Sequence, residues 1–364
     1  MPGGLTPPLS VIASWPPANT TNPETHGPAD IILVAMFGSI ALITVTLRLW
    51  ARCVIQHRAG WDDLLTGLAL IPVLGLAICF SINSRLYGAN LHTWDSSLPN
   101  LVMQRKMALT NEMLYVFGSG MVRISVLLFY RRMGFRSISR GFVVAIHVSI
   151  ASVIAYSIAF IVVIFASCTP LNAFWNQVNP KWEATHTWKC YNEPVHLLAA
   201  SSIALIQDVI ATTLPAILCW NLRISSREKV ALGSIFVVGY MTAVIAAVRT
   251  YFIVKMYYYS YDATWNSWYC WLLAMMEVLI ALICSSLPAV RVFFSQYKNS
   301  LSIVTTAREI KSAIHSRRKG SSSAPQSSER SSSTVQLSQA VQGKSSLYSV
   351  DEETDLEMHR LPAQ

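Results

Sequence analysis

GFVVAIHVSIASVIAYSIAFIVVIFAS, residues 141–167, runs for 27 residues without an Asp, Glu, Lys or Arg. A helix crossing the hydrocarbon core of a bilayer needs about 20 mainly apolar residues, and this stretch supplies them with margin. A transmembrane β-strand would instead alternate polarity over about ten residues, whereas 143–150 and 158–166 are apolar almost throughout. Working outward, six more stretches pass the same test: roughly 31–50, 62–84, 107–130, 195–222, 229–256 and 265–290. The expected fold is therefore all-α, a bundle of seven transmembrane helices whose first partner is the lipid bilayer. Composition agrees: 53% of the 364 residues are hydrophobic and 13% charged, where an ordinary soluble domain carries about 25% charged residues.

The formal charge of +9 fits nucleic acid, an anionic membrane surface or a topology signal. Position decides. Of the 28 basic residues, 18 precede residue 291 and lie scattered around the apolar runs rather than in one patch, so no nucleic acid is expected as a partner. The first, third and fifth connections hold ten Lys and Arg; the segments on the other side hold six, and the first 29 residues none. By the positive-inside rule the N-terminus is outside and the C-terminus cytosolic. Asn19-Thr20-Thr21 is a glycosylation sequon in the outer segment, which agrees. Residues 1–29 are Pro-rich and lack the apolar core of a cleavable leader, so the first span is expected to act as the signal anchor. Four regions follow: an extracellular segment 1–29, the seven-helix domain 30–291, a basic amphipathic juxtamembrane segment 292–319, and a Ser-rich, acidic-ended cytosolic tail 320–364 expected to be disordered.

Seven cysteines are present, and five lie in or beside spans, where Cys behaves as a small apolar residue. Cys168 and Cys190 fall instead in the outer loop between spans four and five, in an oxidising compartment. A disulfide between them would close the loop, with Trp175, Trp182 and Trp188, into a lid over the outer mouth.

Four ionisable side chains lie well inside spans: Arg123, Asp208, Arg249 and Glu277. Facing lipid, each would cost about 2.5–3.5 kcal/mol, so each should face the bundle and have a partner. Two acids and two bases permit mutual neutralisation, and the four are candidates for a ligand or proton site or for an ion-pair network that fixes packing. Asp62 and Asp63 open the second span, where carboxylates accept orphan backbone N–H bonds and complement the helix dipole. Arg48 or Arg52 of the preceding helix are candidate partners for them at the cytosolic end.

Several chemistries lack their residues. No Lys occurs in 265–290, so the last span offers no Schiff base for retinal, and no cofactor is expected. No Asp-Arg-Tyr triplet ends the third span, and no Asn-Pro-x-x-Tyr box ends the seventh. Nor does any hydrolase, zinc-protease or P-loop motif occur, and His147 and His196 are isolated, so no catalytic or metal centre is assigned.

The chain resembles the fungal rhodopsin-domain integral membrane proteins, the group that includes the Pth-type receptor-like proteins and the membrane protein of the satratoxin cluster. The residues that carry the resemblance are Arg48 and Arg52 before Gly60-Trp61-Asp62-Asp63, the run from Arg123 to Arg131, Cys168-Thr169-Pro170 with Trp175 and Cys190, Asp208 with Leu214-Pro215, Arg249, and Glu277 with Leu287-Pro288-Ala289. Family members often have Lys where this chain has Arg123, which keeps the charge and alters the geometry. The resemblance implies an orphan receptor-like membrane protein of a filamentous fungus. The leading expectation is a plasma-membrane protein that senses a small molecule or is tied to secondary metabolism, with a cytosolic signalling partner. A membrane-embedded enzyme of cyclase type, with Asp208 or Glu277 as general acid, and a transporter coupled through the same charges are the alternatives.

Overall fold

A computed structural model describes residues 7–19, 21–133, 140–220 and 226–290; the expected juxtamembrane segment and tail lie outside the described residues. Seven helices are long and apolar enough to cross a membrane. They are α1 (Ala29–Trp50, continued by a π turn Ala51–Ile55), α2 (Trp61–Leu86), α3 (Leu98–Met133), α4 (Arg140–Phe165), α5 (Glu193–Trp220), α6 (Ser226–Val254, continued by a π turn Lys255–Tyr259) and α7 (Ala263–Val290). Two-residue strands β1 (Cys168–Thr169) and β2 (Lys189–Cys190) pair antiparallel between α4 and α5, the one departure from an all-α chain among the described residues.

The third helix begins nine residues before the expected 107. Its first turns carry Gln104 and Arg105, which hydropathy reads as a loop, but both are satisfied inside the protein: Gln104 donates to the Tyr87 carbonyl at 2.6 Å and Arg105 grips Glu193. A polar side chain with an internal partner no longer opposes burial, so α3 runs on as one helix. It is also the central one: 56% of its most apolar stretch is buried in the protein against 17% for α4, which stands at the periphery.

The principal core joins α1, α2, α3 and α7. Ala41, Val45, Ala69, Val73, Leu76, Phe80, Val116, Met275, Leu279 and Leu282 pack there with almost no exposure. Ile71, Val148, Ile158, Val162 and Val237 point the other way and are well exposed; apolar side chains on the outer faces of spanning helices are what a lipid surround requires. Where α5 meets α6 the backbones come close: a Cβ on Gly239 would lie 2.8 Å from the Thr212 methyl, so only glycine fits there.

The two ends differ. One, the loop end, gathers the N-terminal segment, residues 87–97, the 166–192 loop and residues 260–262. There His92 is sandwiched between Trp94 and Trp265, at centroid distances of 4.5 and 4.0 Å, and His26 between Trp265 and Trp268, at 3.6 and 4.1 Å. Burial in this stack holds the His26 imidazole below its ordinary value, since the charged form loses its water. Asp262 ties the stack down, accepting from the Thr93 backbone at 3.0 Å and its hydroxyl at 2.9 Å, with its other oxygen 2.5 Å from His92 Nδ1. The other end, the arginine end, carries Arg48, Arg52, Arg131 and Arg132.

Candidate functional site

On α3 a polar stripe recurs at helical spacing, in steps of seven, three, four and four residues: Arg105, Glu112, Tyr115, Ser119, Arg123. One helix face holds all of these, and α3 is central, so that face looks into the bundle. Near its lower end the four expected intramembrane charges meet. Arg123 donates from Nε to Asp208 at 2.6 Å and from Nη2 to Glu277 Oε1 at 3.2 Å. Arg249 donates from Nε to Glu277 Oε2 at 3.1 Å and from Nη2 to the Tyr115 hydroxyl at 2.8 Å, and that hydroxyl donates to Glu277 Oε1 at 2.6 Å. The chain Asp208, Arg123, Glu277, Arg249 thus links α5, α3, α7 and α6. All four side chains are buried, which removes competing water and strengthens each charge-assisted bond. Arg123 Nη1 and Asp208 Oδ2 are buried with no hydrogen bond, so the network keeps one spare donor and one spare acceptor.

Above this network, toward the loop end, lies a cavity of about 480 Å³, within the range of small-molecule sites. Tyr115 and Arg249 form part of its lining; Arg123 and Asp208 instead line a smaller cavity of about 60 Å³ on the arginine side, and Glu277 lines neither. The four charges are therefore a partition between two spaces rather than four walls of one. Gln177, Val178, Pro180 and Glu183 of the 166–192 loop, with Ile12 and Trp15 of the N-terminal segment, border the large cavity at its loop end.

The loop is held by the Cys168–Cys190 disulfide, directly across the β1–β2 register. It packs Ala173 and Phe174 into the protein, and Arg105 lies over the Phe174 ring at 4.2 Å. Arg105 also donates twice to Glu193, each at 2.7 Å, and Glu193 accepts from the Tyr257 hydroxyl at 2.7 Å. Hydropathy leaves Arg105 and Glu193 outside the spans at 107–130 and 195–222, with Glu112 at the outer end of the third span; all three lie on spanning helices and border the cavity. The signal that could have found them is the stripe itself, followed back from Arg123 at helical spacing.

At the arginine end Arg48, fully buried, donates from Nη2 to Asp62 and from Nε to Asp63, both at 2.9 Å, and from Nη1 to the Ser285 carbonyl of α7. Asp63 accepts from the Gly60 N–H at 3.1 Å, capping α2, while Arg132 of α3 reaches Asp62 at 3.3 Å. Arg52 does not join them: it donates to Gln56 at 2.9 Å and sits over Phe129. The π turn at Ala51–Ile55 begins three residues after Arg48 and contains Arg52, so Arg52 does not repeat the direction of Arg48 one turn on, as an unbroken α-helix would make it. Asn19 is exposed, its side chain donating to the Asn22 carbonyl at 2.7 Å.

These features define a seven-helix, multi-pass membrane protein with a lidded cavity resting on a buried charge network. Residues 47–296 match the fungal rhodopsin domain, and the chain belongs to that family. It is 26% identical over 322 residues to Receptor GIN3 of Arthrobotrys oligospora, covering 86% of this chain and 74% of the relative. It is 24% identical to a SAT4 family membrane protein of Emericella nidulans, over 65% of this chain and 55% of the relative. It is 23% identical to the polyenoic acids biosynthesis gene cluster protein Ba17b of Metarhizium anisopliae, over 60% and 58%. The chain thus spans little more than half the length of the latter two. No solved structure matches.

Proposed function

We propose that the chain is a receptor-like protein of the plasma membrane whose ligand, a small molecule, occupies the 480 Å³ cavity. The observation that carries this reading is the contact between cavity and network. The Tyr115 hydroxyl and the Arg249 guanidinium border the cavity and are at the same time hydrogen-bonded into the chain that runs to Asp208. A ligand that draws either group toward itself changes the pairing of Glu277 and Arg123, hence the packing of α3, α5, α6 and α7. Ligand binding then shifts the bundle between two arrangements in proportion to its differential contacts with them. The relative named as a receptor supports the reading, and the relative named for a biosynthetic gene cluster supports a ligand drawn from secondary metabolism.

In this reading the loop end is outside and the arginine end faces the cytosol, where a signalling partner docks. The ten-to-six bias of basic residues supports that orientation, and the internal pairing of Arg105 with Glu193 removes one charge from the outer count. Asn19, exposed at the loop end, is then a glycosylation site: glycosidase treatment shifts the mobility of the wild type and not of Asn19→Gln. The enzyme and transporter alternatives need Asp208 or Glu277 to meet a substrate, and neither acid borders the large cavity.

The test is complementation of a deletion strain of the native fungus with wild type, Tyr115→Phe or Ala108→Phe, the last narrowing the cavity. Cytosolic cyclic AMP and calcium are followed on exposure to extracts of the fungus's own cultures. Wild type restores a response; Tyr115→Phe and Ala108→Phe reach the membrane in equal amount and blunt it. Responses equal to wild type in both variants overturn the reading.

A further inference from the structure

Resting on the cavity as the ligand site, we infer that it selects a cationic amine, with Glu112 as the counter-ion. The starting point is the charge in the spans around the cavity and network. Arg105, Arg123 and Arg249 face four acids, Glu112, Glu193, Asp208 and Glu277. Arg105 is taken by Glu193 through two bonds of 2.7 Å. Arg123 and Arg249 are taken by Asp208 and Glu277. Glu112 is left over.

Among the described residues no arginine or lysine is in ion-pair contact with Glu112; Arg105 acts on it only at a distance and is bonded to Glu193. Glu112 lies seven residues from Arg105 and eleven from Arg123, about 10 and 16 Å along the helix, beyond the reach of guanidinium groups that are also held by other carboxylates. Its one partner among the described residues is His196, whose Nδ1 is 3.4 Å from Oε1. That separation is long for a hydrogen bond, and the same nitrogen is 2.8 Å from the Tyr191 hydroxyl. The Glu112 carboxyl borders the cavity with 12% of its side chain exposed. A carboxylate inside a membrane protein without a fixed partner is costly, and a mobile cation entering the cavity is a partner the fold leaves room for.

The other groups around the cavity point to the same sign. Both of its arginines already hold a carboxylate, Arg105 through Glu193 with the Phe174 ring below it, and Arg249 through Nε to Glu277, with its Nη2 on the Tyr115 hydroxyl. An anionic ligand would have to compete with those carboxylates for the same guanidinium groups. Tyr156, Phe160, Tyr257 and Trp271 add aromatic surface, which packs an apolar body and attracts an ammonium group by its π faces. The ligand class is therefore a molecule with an aromatic or other apolar body and one protonated amine.

The test uses the full chain in nanodiscs at neutral pH with three probes sharing one ring: tryptamine, N-acetyltryptamine and indole-3-propionate, which are cationic, neutral and anionic. Thermal unfolding is followed against probe concentration. In the wild type tryptamine is expected to stabilise at about tenfold lower concentration than N-acetyltryptamine, and indole-3-propionate to have no effect. Glu112→Gln, which keeps the shape and removes the charge, brings tryptamine to the level of the neutral probe. Equal action of tryptamine and N-acetyltryptamine on the wild type overturns the inference, as does a tryptamine preference that survives in Glu112→Gln. If the neutral or anionic probe binds and the amine does not, the ligand class fails and the cavity stands as a ligand site. If none of the three binds, the inference falls; the complementation with Ala108→Phe then decides the receptor reading separately. The wild-type comparison needs no variant, so a poorly folding Glu112→Gln does not spare the idea.

Discussion

Replacing Arg48 with Met tests the arginine end most directly. The side chain is fully buried and makes three bonds, to Asp62 and Asp63 at 2.9 Å each and to the Ser285 carbonyl. Without it the one cation still in ion-pair contact with the two buried carboxylates, among the described residues, is Arg132, at 3.3 Å from Asp62 and 3.7 Å from Asp63 and itself partly exposed. Removing one partner of a buried ion pair costs about 3–5 kcal/mol, mostly from the charge left behind. The lower figure is the safer expectation, since side-chain bonds in membrane proteins run weaker than their burial suggests. For a chain of this size 1 kcal/mol moves Tm by about 2–4 °C, so the apparent Tm in nanodiscs should fall by roughly 6 °C or more. The triple variant Arg48→Met/Asp62→Asn/Asp63→Asn removes the stranded charges, while the amide oxygen introduced by Asp63→Asn still accepts from the Gly60 N–H, and it should recover at least half of the loss. A single variant within about 2 °C of wild type, or a triple variant less stable than the single one, would refute the reasoning.

Further outcomes follow from other parts of the fold. Cys168→Ser should lower stability by about 3 kcal/mol, since the bridge closes a loop with a sequence separation of 22; reductant should bring the wild type to the same Tm and leave the variant unchanged. A Cβ at Gly60 would lie 2.5 Å from Asp62 Oδ1 and 2.6 Å from Arg132 Nη1, so Gly60→Ala should break the Arg132 link and cost about 1–2 kcal/mol, read as a lower Tm. For His26 the folded state disfavours the imidazolium and the unfolded chain does not. The unfolded state therefore binds more protons as pH falls below about 6.5, and stability declines from there downward. Tm measured from pH 7.5 to 5 should fall less steeply in His26→Phe than in wild type; equal slopes would remove His26 from the acid response.

Which parts of the site could be read in the sequence follows from how each residue declares itself. Arg123, Asp208, Arg249 and Glu277 stand out because a charge inside an apolar run has no neighbour of its own kind, and its cost in lipid demands an internal partner. The pairing order was not legible: two acids and two bases allow several matchings, and only the packing of α3, α5, α6 and α7 puts Glu277 between the two arginines. Glu112, at the outer end of the third span, showed no sign of its role, and Arg105 and Glu193 were hidden for the opposite reason. They lie near span ends, where hydropathy averages them into loops, and their partners are 88 residues apart in the case of Arg105 and Glu193. Arg48 and Arg52 were equal candidates for Asp62 and Asp63, and only the π turn that contains Arg52 separates their directions.

By itself the sequence determined the seven spans, since the length and apolarity of a helix crossing a bilayer are local properties of a continuous run. It also determined which buried charges needed partners, and which two cysteines share one loop. Tertiary structure alone decided that the charge network borders a cavity rather than surrounding it, and that of the four acids in the spans around cavity and network Glu112 is the one without an arginine. Those facts depend on which helix faces meet across long separations, and a carboxylate is unpaired only relative to every other side chain packed around it.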